Sequence, residues 1–158
     1  MKNFLVLLFF LIHCSQGINY NKNQKLATPA GFNVYPLPGS SFKVSYFVQN
    51  SEDIFDGYNL YITRESTGEV VTTAPLQPYT INGALPTFIH SAADFNPTSP
   101  VEITLTLYMD TRLDLSGNIS TNYIPFEPGV YYFFKIKAHS IYDTYSTFSN
   151  EVSVMAIN

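Results

Sequence analysis

The chain has 158 residues, of which 46% are hydrophobic, 16% aromatic and only 13% charged, and its formal net charge is −4. This length suits one domain plus a short extra segment, and the apolar content supplies a core without disulfide or metal staples. The acidic balance argues against a nucleic-acid binder, and the aromatic content argues against a disordered chain. A single cysteine excludes a disulfide framework and a cysteine-based zinc site.

The first residues have the pattern of an export signal. Lys2 precedes the uninterrupted apolar run 4–12, which is far shorter than the roughly 20 residues that span a bilayer as a helix. The run leads into residues 11–14 (LIHC), which resemble a bacterial lipobox with a histidine in place of the usual small residue. Two processing routes stay open: lipid attachment at Cys14, or ordinary cleavage after the small residues 15–17.

These motifs divide the chain into three predicted parts. Residues 1–14 form a signal peptide, the polar and asparagine-rich residues 15–28 form a tether, and residues 29–158 form the folded domain. Without Lys2 the chain has seven basic and twelve acidic residues, so its charge does not draw it to an anionic lipid surface. We therefore expect the membrane contact to come from the lipid on Cys14, since several acyl chains anchor a protein stably.

From Pro29 onward, apolar residues recur with a period of two, which is typical of strands with one buried face. The predicted inward-facing residues are Phe42, Val44, Tyr46, Val48, Tyr58, Leu60, Ile62, Val101, Ile103, Leu105, Leu107, Met109, Val130, Tyr132, Phe134, Ile136, Ala138, Val152 and Val154. Turns rich in glycine and proline separate these runs, and ten scattered prolines argue against long helices. The sequence therefore predicts an all-β fold, an antiparallel two-sheet sandwich.

The last third of the chain carries the most distinctive motif. Residues 126–138 (FEPGVYYFFKIKA) contain a Pro-Gly turn, then a tyrosine and alternating apolar residues that end in alanine. This motif resembles the E–F corner and F strand of a fibronectin type III domain, and residues 42–46, 56–61 and 146–154 resemble the B, C and G strands of that family. By this resemblance Tyr132 is the corner tyrosine, whose ring is buried and whose hydroxyl returns to the backbone.

The chain departs from that family in two places. Tyr46 stands where the family has a B-strand tryptophan, so a hydroxyl in the core must find a partner. The stretch 65–100 is longer than the usual connection from strand C to strand E. The resemblance thus implies a fibronectin type III or immunoglobulin-like sandwich with an elongated C-to-E insertion.

The sequence offers little for catalysis. His13 belongs to the predicted signal peptide, so only His90 and His139 remain, and both are expected at the surface. The chain has neither a Gly-x-Ser-x-Gly elbow nor a phosphate-binding glycine loop. The acidic and amide residues in 110–118 miss the EF-hand spacing and are expected to be solvated. We therefore expect no enzyme, no cofactor and no metal site.

Strand parity places three aromatic residues on the face that points away from the core. If Tyr132 faces inward, Tyr131 and Phe133 face outward, and Tyr61 does the same on the C strand. Strands C and F are neighbours in the fibronectin type III sandwich, so these three rings would form an aromatic strip suited to binding a partner. The alternative is that the insertion 65–100 folds over the strip and buries it as a second core.

These features favour an exported, lipid-anchored binding or adhesion module without enzymatic activity. Its domain would lie in the periplasm or at the cell surface of a bacterium, with a protein or glycan ligand and without nucleic acid. Two other classes stay open. One is a carbohydrate-binding module that stacks tyrosines on sugar rings, which the absence of tryptophan weakens. The other is a structural subunit of an envelope complex, whose sheet edge is paired by another chain.

Overall fold

The computed structural model describes residues 21–64, 76–114 and 116–158. The predicted signal peptide with Cys14, and the first part of the predicted insertion, lie outside the described residues. The described ranges form nine strands and one short 3-10 helix at Ala92–Asp94. The strands are β1 (Asn33–Leu37), β2 (Ser41–Val48), β3 (Phe55–Arg64), β4 (Phe88–Ile89), β5 (Asn96–Leu105), β6 (Leu107–Leu113), β7 (Ile119–Pro125), β8 (Tyr131–Ser140) and β9 (Val152–Met155). That helix is too small to span a membrane, and the described residues contain no other candidate.

Two antiparallel sheets pack face to face. One has the strand order β1-β2-β5, and the other has the order β4-β3-β8-β9. Strands β2, β3, β8 and β9 occupy the places predicted for strands B, C, F and G, and β3 and β8 are neighbours as expected. The predicted all-β antiparallel sandwich is therefore confirmed.

The core lies between the two sheets and is built largely from aromatic rings. Phe42 of β2 lies edge-on to Phe134 of β8, with 5.0 Å between ring centroids, and 5.8 Å from Tyr132 of the same strand. Such pairs add about 0.5–1.5 kcal/mol each beyond the area that they bury. The inward residues predicted for β2, β3 and β8 are all buried, so strand parity located this core correctly.

The turn into β8 has the predicted corner geometry. The Tyr132 ring is 0% exposed, and its hydroxyl oxygen accepts a hydrogen bond from the backbone N–H of Glu127 at 3.0 Å. Gly129 lies in this turn with a φ of 79°, a region that glycine enters without steric cost. Because the corner fixes the inward direction of Tyr132, it also fixes the outward direction of Tyr131 and Phe133.

The tyrosine that replaces tryptophan in β2 finds its partner in the C-to-E connection. The Tyr46 hydroxyl shares a 3.0 Å hydrogen bond with Nε2 of His90, and its ring stacks on Phe88 at 4.9 Å. His90 is half-buried by this contact, and burial lowers the pKa of its imidazole. His90, expected at the surface, therefore lies only partly in solvent and bonds to a core tyrosine.

The strand predicted from Val101 to Met109 changes partners midway. β5 pairs with β2, whereas β6 pairs with β7 in a separate two-stranded hairpin. Leu107, predicted to face inward, is 37% exposed, and Tyr108, predicted to face outward, is 8% exposed. The alternation breaks at Thr106, where the chain passes from the three-stranded sheet into the β6–β7 hairpin. A sequence that keeps a period of two across this point does not reveal the change of partner.

The described part of the predicted insertion extends the sheet sideways. The backbone N–H of Tyr79 donates to the carbonyl of Leu60 at 2.7 Å, and the N–H of Leu60 donates to the Thr87 hydroxyl at 3.0 Å. β4 then pairs with β3 through Phe88. These residues occupy the edge of β3, where backbone groups would otherwise lack sheet partners.

The last residues of the predicted tether, which was expected to extend to residue 28, pack against the folded domain. Leu26 is buried in the core, and the N–H of Ala27 donates to the Glu52 carboxylate at 2.6 Å. The Asn50 side-chain amide donates in turn to the Ala27 carbonyl at 3.0 Å. The folded domain therefore includes Leu26, because a largely polar segment can still place a single leucine in a core.

Candidate functional site

The predicted binding residues all lie on the outer face of the four-stranded sheet, which is the face turned away from the core. The strand register places Tyr61 opposite Lys135, and Phe133 between Thr63 on one side and Ser153 on the other. Tyr131 lies opposite Met155 of β9. Directly opposed residues of antiparallel strands share a face, so these side chains are true neighbours.

At one end of this face the side chains are open to solvent. Tyr131 is 48% exposed and Met155 is 40% exposed, and Phe133 beside them is half-buried. We call Tyr131, Phe133 and Met155 the apolar patch. Met155 was not among the residues predicted from the sequence, although its alternation with Val154 in β9 could have placed it there.

Tyr61 is buried, so the three aromatic residues do not form one exposed strip. Its ring is 8% exposed and lies edge-on to Phe148, with 5.1 Å between the centroids. Phe148 belongs to the loop between β8 and β9, a cover that the sequence reasoning did not consider. Of the three predicted residues, only Tyr131 is largely exposed and Phe133 only partly so.

The loop is held in place by two serines that bond along β8. Ser146 and Ser149 donate backbone N–H groups to the carbonyls of Ala138 and Ile136, at 3.0 and 2.9 Å. Their hydroxyls accept the N–H groups of the same two β8 residues, at 2.9 and 3.0 Å. Phe148 lies between Ser146 and Ser149 in sequence. The bonds of these two serines to β8 therefore hold the Phe148 ring over Tyr61.

Two lysines pack on the Phe148 ring at the end of the sheet face where it covers Tyr61. The Nζ atoms of Lys135 and Lys137 lie 4.4 and 4.0 Å from the centroid of the Phe148 ring, and Lys135 also pairs with Glu151 at 3.5 Å. Cations over an aromatic face stabilise by about 0.5–1 kcal/mol at exposed sites. Burial raises the pKa of the Tyr61 phenol, and the nearby Tyr145 adds to that effect.

His139, expected at the surface, is only 7% exposed, and each of its ring nitrogens lies within hydrogen-bond distance of a carboxylate. Its Nδ1 lies 2.6 Å from Oδ1 of Asp56, and its Nε2 lies 3.2 Å from Oδ1 of Asp143. The partner Asp56 is 83 residues away in sequence, so no local pattern could have indicated it. Among the described residues, no group of three or more His, Cys, Asp or Glu side chains could hold a metal ion.

Of the polar residues in 110–118, those up to 113 belong to β6, and Asp114, Ser116 and Asn118 lie between β6 and β7. The Asp114 carboxylate accepts backbone N–H groups of Ser116 and Asn118, each at 2.8 Å, and these bonds lower the pKa of Asp114. Its oxygens are thus used to close the turn.

The fold places the chain in the class of fibronectin type III-like sandwiches. The third fibronectin III domain of human KIAA0343 protein, solved in solution, is similar at a TM-score of 0.53 and 11% identity, covering 91% of this chain and 94% of that one. A solved myokine structure gives a TM-score of 0.45 at 14% identity, covering 84% and 98%. No curated protein matches the sequence. The family model described as LIC11073-like matches residues 9–150, and the chain belongs to that family.

Proposed function

We propose that this protein is an exported, lipid-anchored binding module of the bacterial envelope, without enzymatic activity, and that its apolar patch binds a protein partner. The observation that carries the proposal is the exposure of Tyr131 and Met155 side by side on a regular sheet face. Solvent-facing strand positions are usually polar, and tyrosine and methionine are enriched in protein interfaces. Phe133 supplies further apolar surface next to them.

The environment of the two described histidines supports a non-catalytic role. Both ring nitrogens of His139 face carboxylates, and Nε2 of His90 is bonded to the buried hydroxyl of Tyr46. A general base needs a ring nitrogen that can reach a substrate proton. The lipid anchor is supported by the apolar run that ends at Cys14, the only cysteine of the chain.

A site-specific photo-cross-linker tests the patch in living cells. The probe is placed at position 131 and, in a separate strain, at position 35. Tyr35 lies on β1 and is 47% exposed, so it matches Tyr131 in residue type and exposure but belongs to the other sheet. We expect one protein to be captured from position 131 only, and to be lost when Phe133 is changed to Ser. Equal capture from both positions, or capture that the Phe133 change leaves intact, would contradict the proposal.

Mass spectrometry of the mature N-terminus tests the anchor separately. We expect a chain that begins at Cys14 and carries acyl groups, and we expect Cys14→Ala to release the protein from the membrane fraction. An unmodified N-terminus after residues 15–17 would refute the anchor and leave the patch proposal standing.

A further inference from the structure

A cleft of about 480 Å³ lies away from the apolar patch, between the N-terminal segment 22–28 and the loop residues 144–147. Ligand sites typically have volumes of about 300–1,000 Å³. The cleft lies near His139, whose backbone forms a bridge with Tyr145. His139 is eight residues along β8 from Tyr131, which corresponds to roughly 26 Å of strand.

The two walls of the cleft are fixed before any ligand binds. The hydroxyls of Thr28 and Thr147 hydrogen-bond to each other and join the walls directly. Leu26 anchors the first wall in the core, and Ser146 anchors the second on β8. A site that is already ordered loses less conformational entropy when it binds.

The lining combines positive charge, amides and one open aromatic ring. Lys22 and Lys25 line the cleft, and neither forms an ion pair with a carboxylate in the described part of the chain. Asn23 and Gln24 add amide groups, which both donate and accept hydrogen bonds. Tyr145 is 48% exposed, so about half of this residue is accessible to a ligand.

The positive charge of this region contrasts with the acidic chain. Lys137 lies close to the cleft, with its Nζ 6.0 Å from the centroid of Tyr145. The Nζ of Lys22 lies 5.5 Å from the centroid of the Tyr142 ring, which precedes the second wall in sequence. Two lysines thus line one cleft, with Lys137 outside its lining, in a protein whose net charge is −4.

We propose that this cleft binds an acidic saccharide, a sugar that carries carboxylate or sulfate groups. The anionic group would pair with Lys22 and Lys25, because charge-assisted hydrogen bonds are the strongest that such side chains form. The sugar ring would stack on Tyr145, and its hydroxyls would bond to the amides of Asn23 and Gln24. Leu26 is the one aliphatic residue of the lining, and it is buried in the core.

This site goes beyond the proposed function, since it requires neither the lipid anchor nor the protein partner. The processed, exported protein is titrated calorimetrically with galacturonate oligomers and sulfated galactan oligomers. Their methyl-esterified and unsulfated counterparts have the same rings without the charge. We expect the acidic forms to bind and the neutral forms to bind at least about tenfold more weakly, the loss that one charge-assisted contact produces.

Matched variants locate the site. The double change Lys22→Gln with Lys25→Gln should weaken binding of the acidic oligomers about tenfold or more, and Tyr145→Ser should weaken it by a similar factor. Lys43→Gln removes a lysine from the other sheet and should leave the affinity unchanged. All these side chains except Lys43 are exposed, and thermal unfolding verifies that each variant is folded.

Three results would overturn the proposal. The first is the absence of binding by any acidic oligomer, and the second is equal binding of the charged and neutral forms. The third is equal loss in the Lys43→Gln control, which would indicate a general charge effect. Capture of a partner at position 131 is independent of all three, so the two proposals fail separately.

Discussion

The two ends of the outer sheet face share the same strands but differ in how their aromatic residues meet solvent. At one end Tyr131 is 48% exposed beside Met155, and at the other Tyr61 is 8% exposed beneath Phe148. Strand alternation treats Tyr61 and Tyr131 as equivalent, because both point away from the core. Their burial is decided by the loop after β8, which folds back over one end only.

The largest loss of stability is expected at Gly57, which lies in β3 between β4 and β8. Gly57 pairs with both Ile89 and His139, and a Cβ there would overlap the Phe88 carbonyl oxygen and approach Cγ of Pro86 to 2.7 Å. Its φ of 147° also disfavours any side chain. Gly57→Ala should lower the free energy of unfolding by about 4 kcal/mol, as strain and overpacking add.

Gly83→Ala is the matched control for Gly57 in chemical denaturation. Gly83 also has a positive φ, of 76°, but no atom lies within 4 Å of a Cβ built there. We expect it to lose only about 1 kcal/mol, the cost of the backbone conformation. Equal losses at the two glycines would show that β4 does not approach β3 as closely as described.

The second prediction compares the two tyrosines directly. Tyr61→Ala should destabilise the protein by about 3 kcal/mol, since it removes a buried ring. Tyr131→Ala should change the free energy of unfolding by less than about 0.5 kcal/mol, as for other surface substitutions. Denaturant titration of both variants measures the difference, and equal losses would mean that the two ends are buried alike.

The third prediction concerns the cover itself. Phe148→Ser should destabilise by about 1–2 kcal/mol, because Phe148 is half-buried and loses its contact with Tyr61. The pKa of Tyr61 should fall toward its usual value of 10.0, since burial is the main cause that raises it. Phenolate absorbance followed against pH, with Tyr61→Phe to identify the signal, measures this shift. An unchanged titration would show that another group buries Tyr61.

The smallest effect is a pH dependence at His90. Burial lowers the pKa of His90 in the folded protein, so the unfolded chain binds more protons, and stability is lost as pH falls below the ordinary value of 6.5. Asp94 opposes this shift, and Tyr46 and Tyr58 are the other groups that face the ring. Unfolding measured from pH 7 to pH 5 should show a steeper decline in the wild type than in His90→Gln. Parallel stability curves for the two proteins would contradict the predicted contribution of His90.

Much of the fold could be predicted because it depends on short-range patterns. The period of two in β8 and the Pro-Gly turn before it locate Tyr132, and its hydroxyl bonds to Glu127 as the resemblance implied. The residue that replaces tryptophan, Tyr46, was expected to need a partner, and His90 supplies it. These features repeat along a strand or within a turn, so the sequence displays them.

The parts that escaped prediction depend on contacts between distant segments. Phe148 is an isolated aromatic residue among small polar ones, and only its attachment through Ser146 and Ser149 places it over Tyr61. His139 is buried because Asp56 approaches from another strand. The presence of Phe148 in a polar loop indicates that its ring packs against some surface of the domain. It does not indicate that this surface is Tyr61.

The fixing of Leu26 limits how far the domain can stand from its proposed membrane anchor. Leu26 lies twelve residues after Cys14, and a fully extended chain of that length spans no more than about 43 Å. A domain held at this radius stays in a thin layer above the bilayer, close to other molecules anchored in the same leaflet. For such a protein, weak affinity for a membrane-bound ligand is sufficient, because the local concentration of both molecules is high.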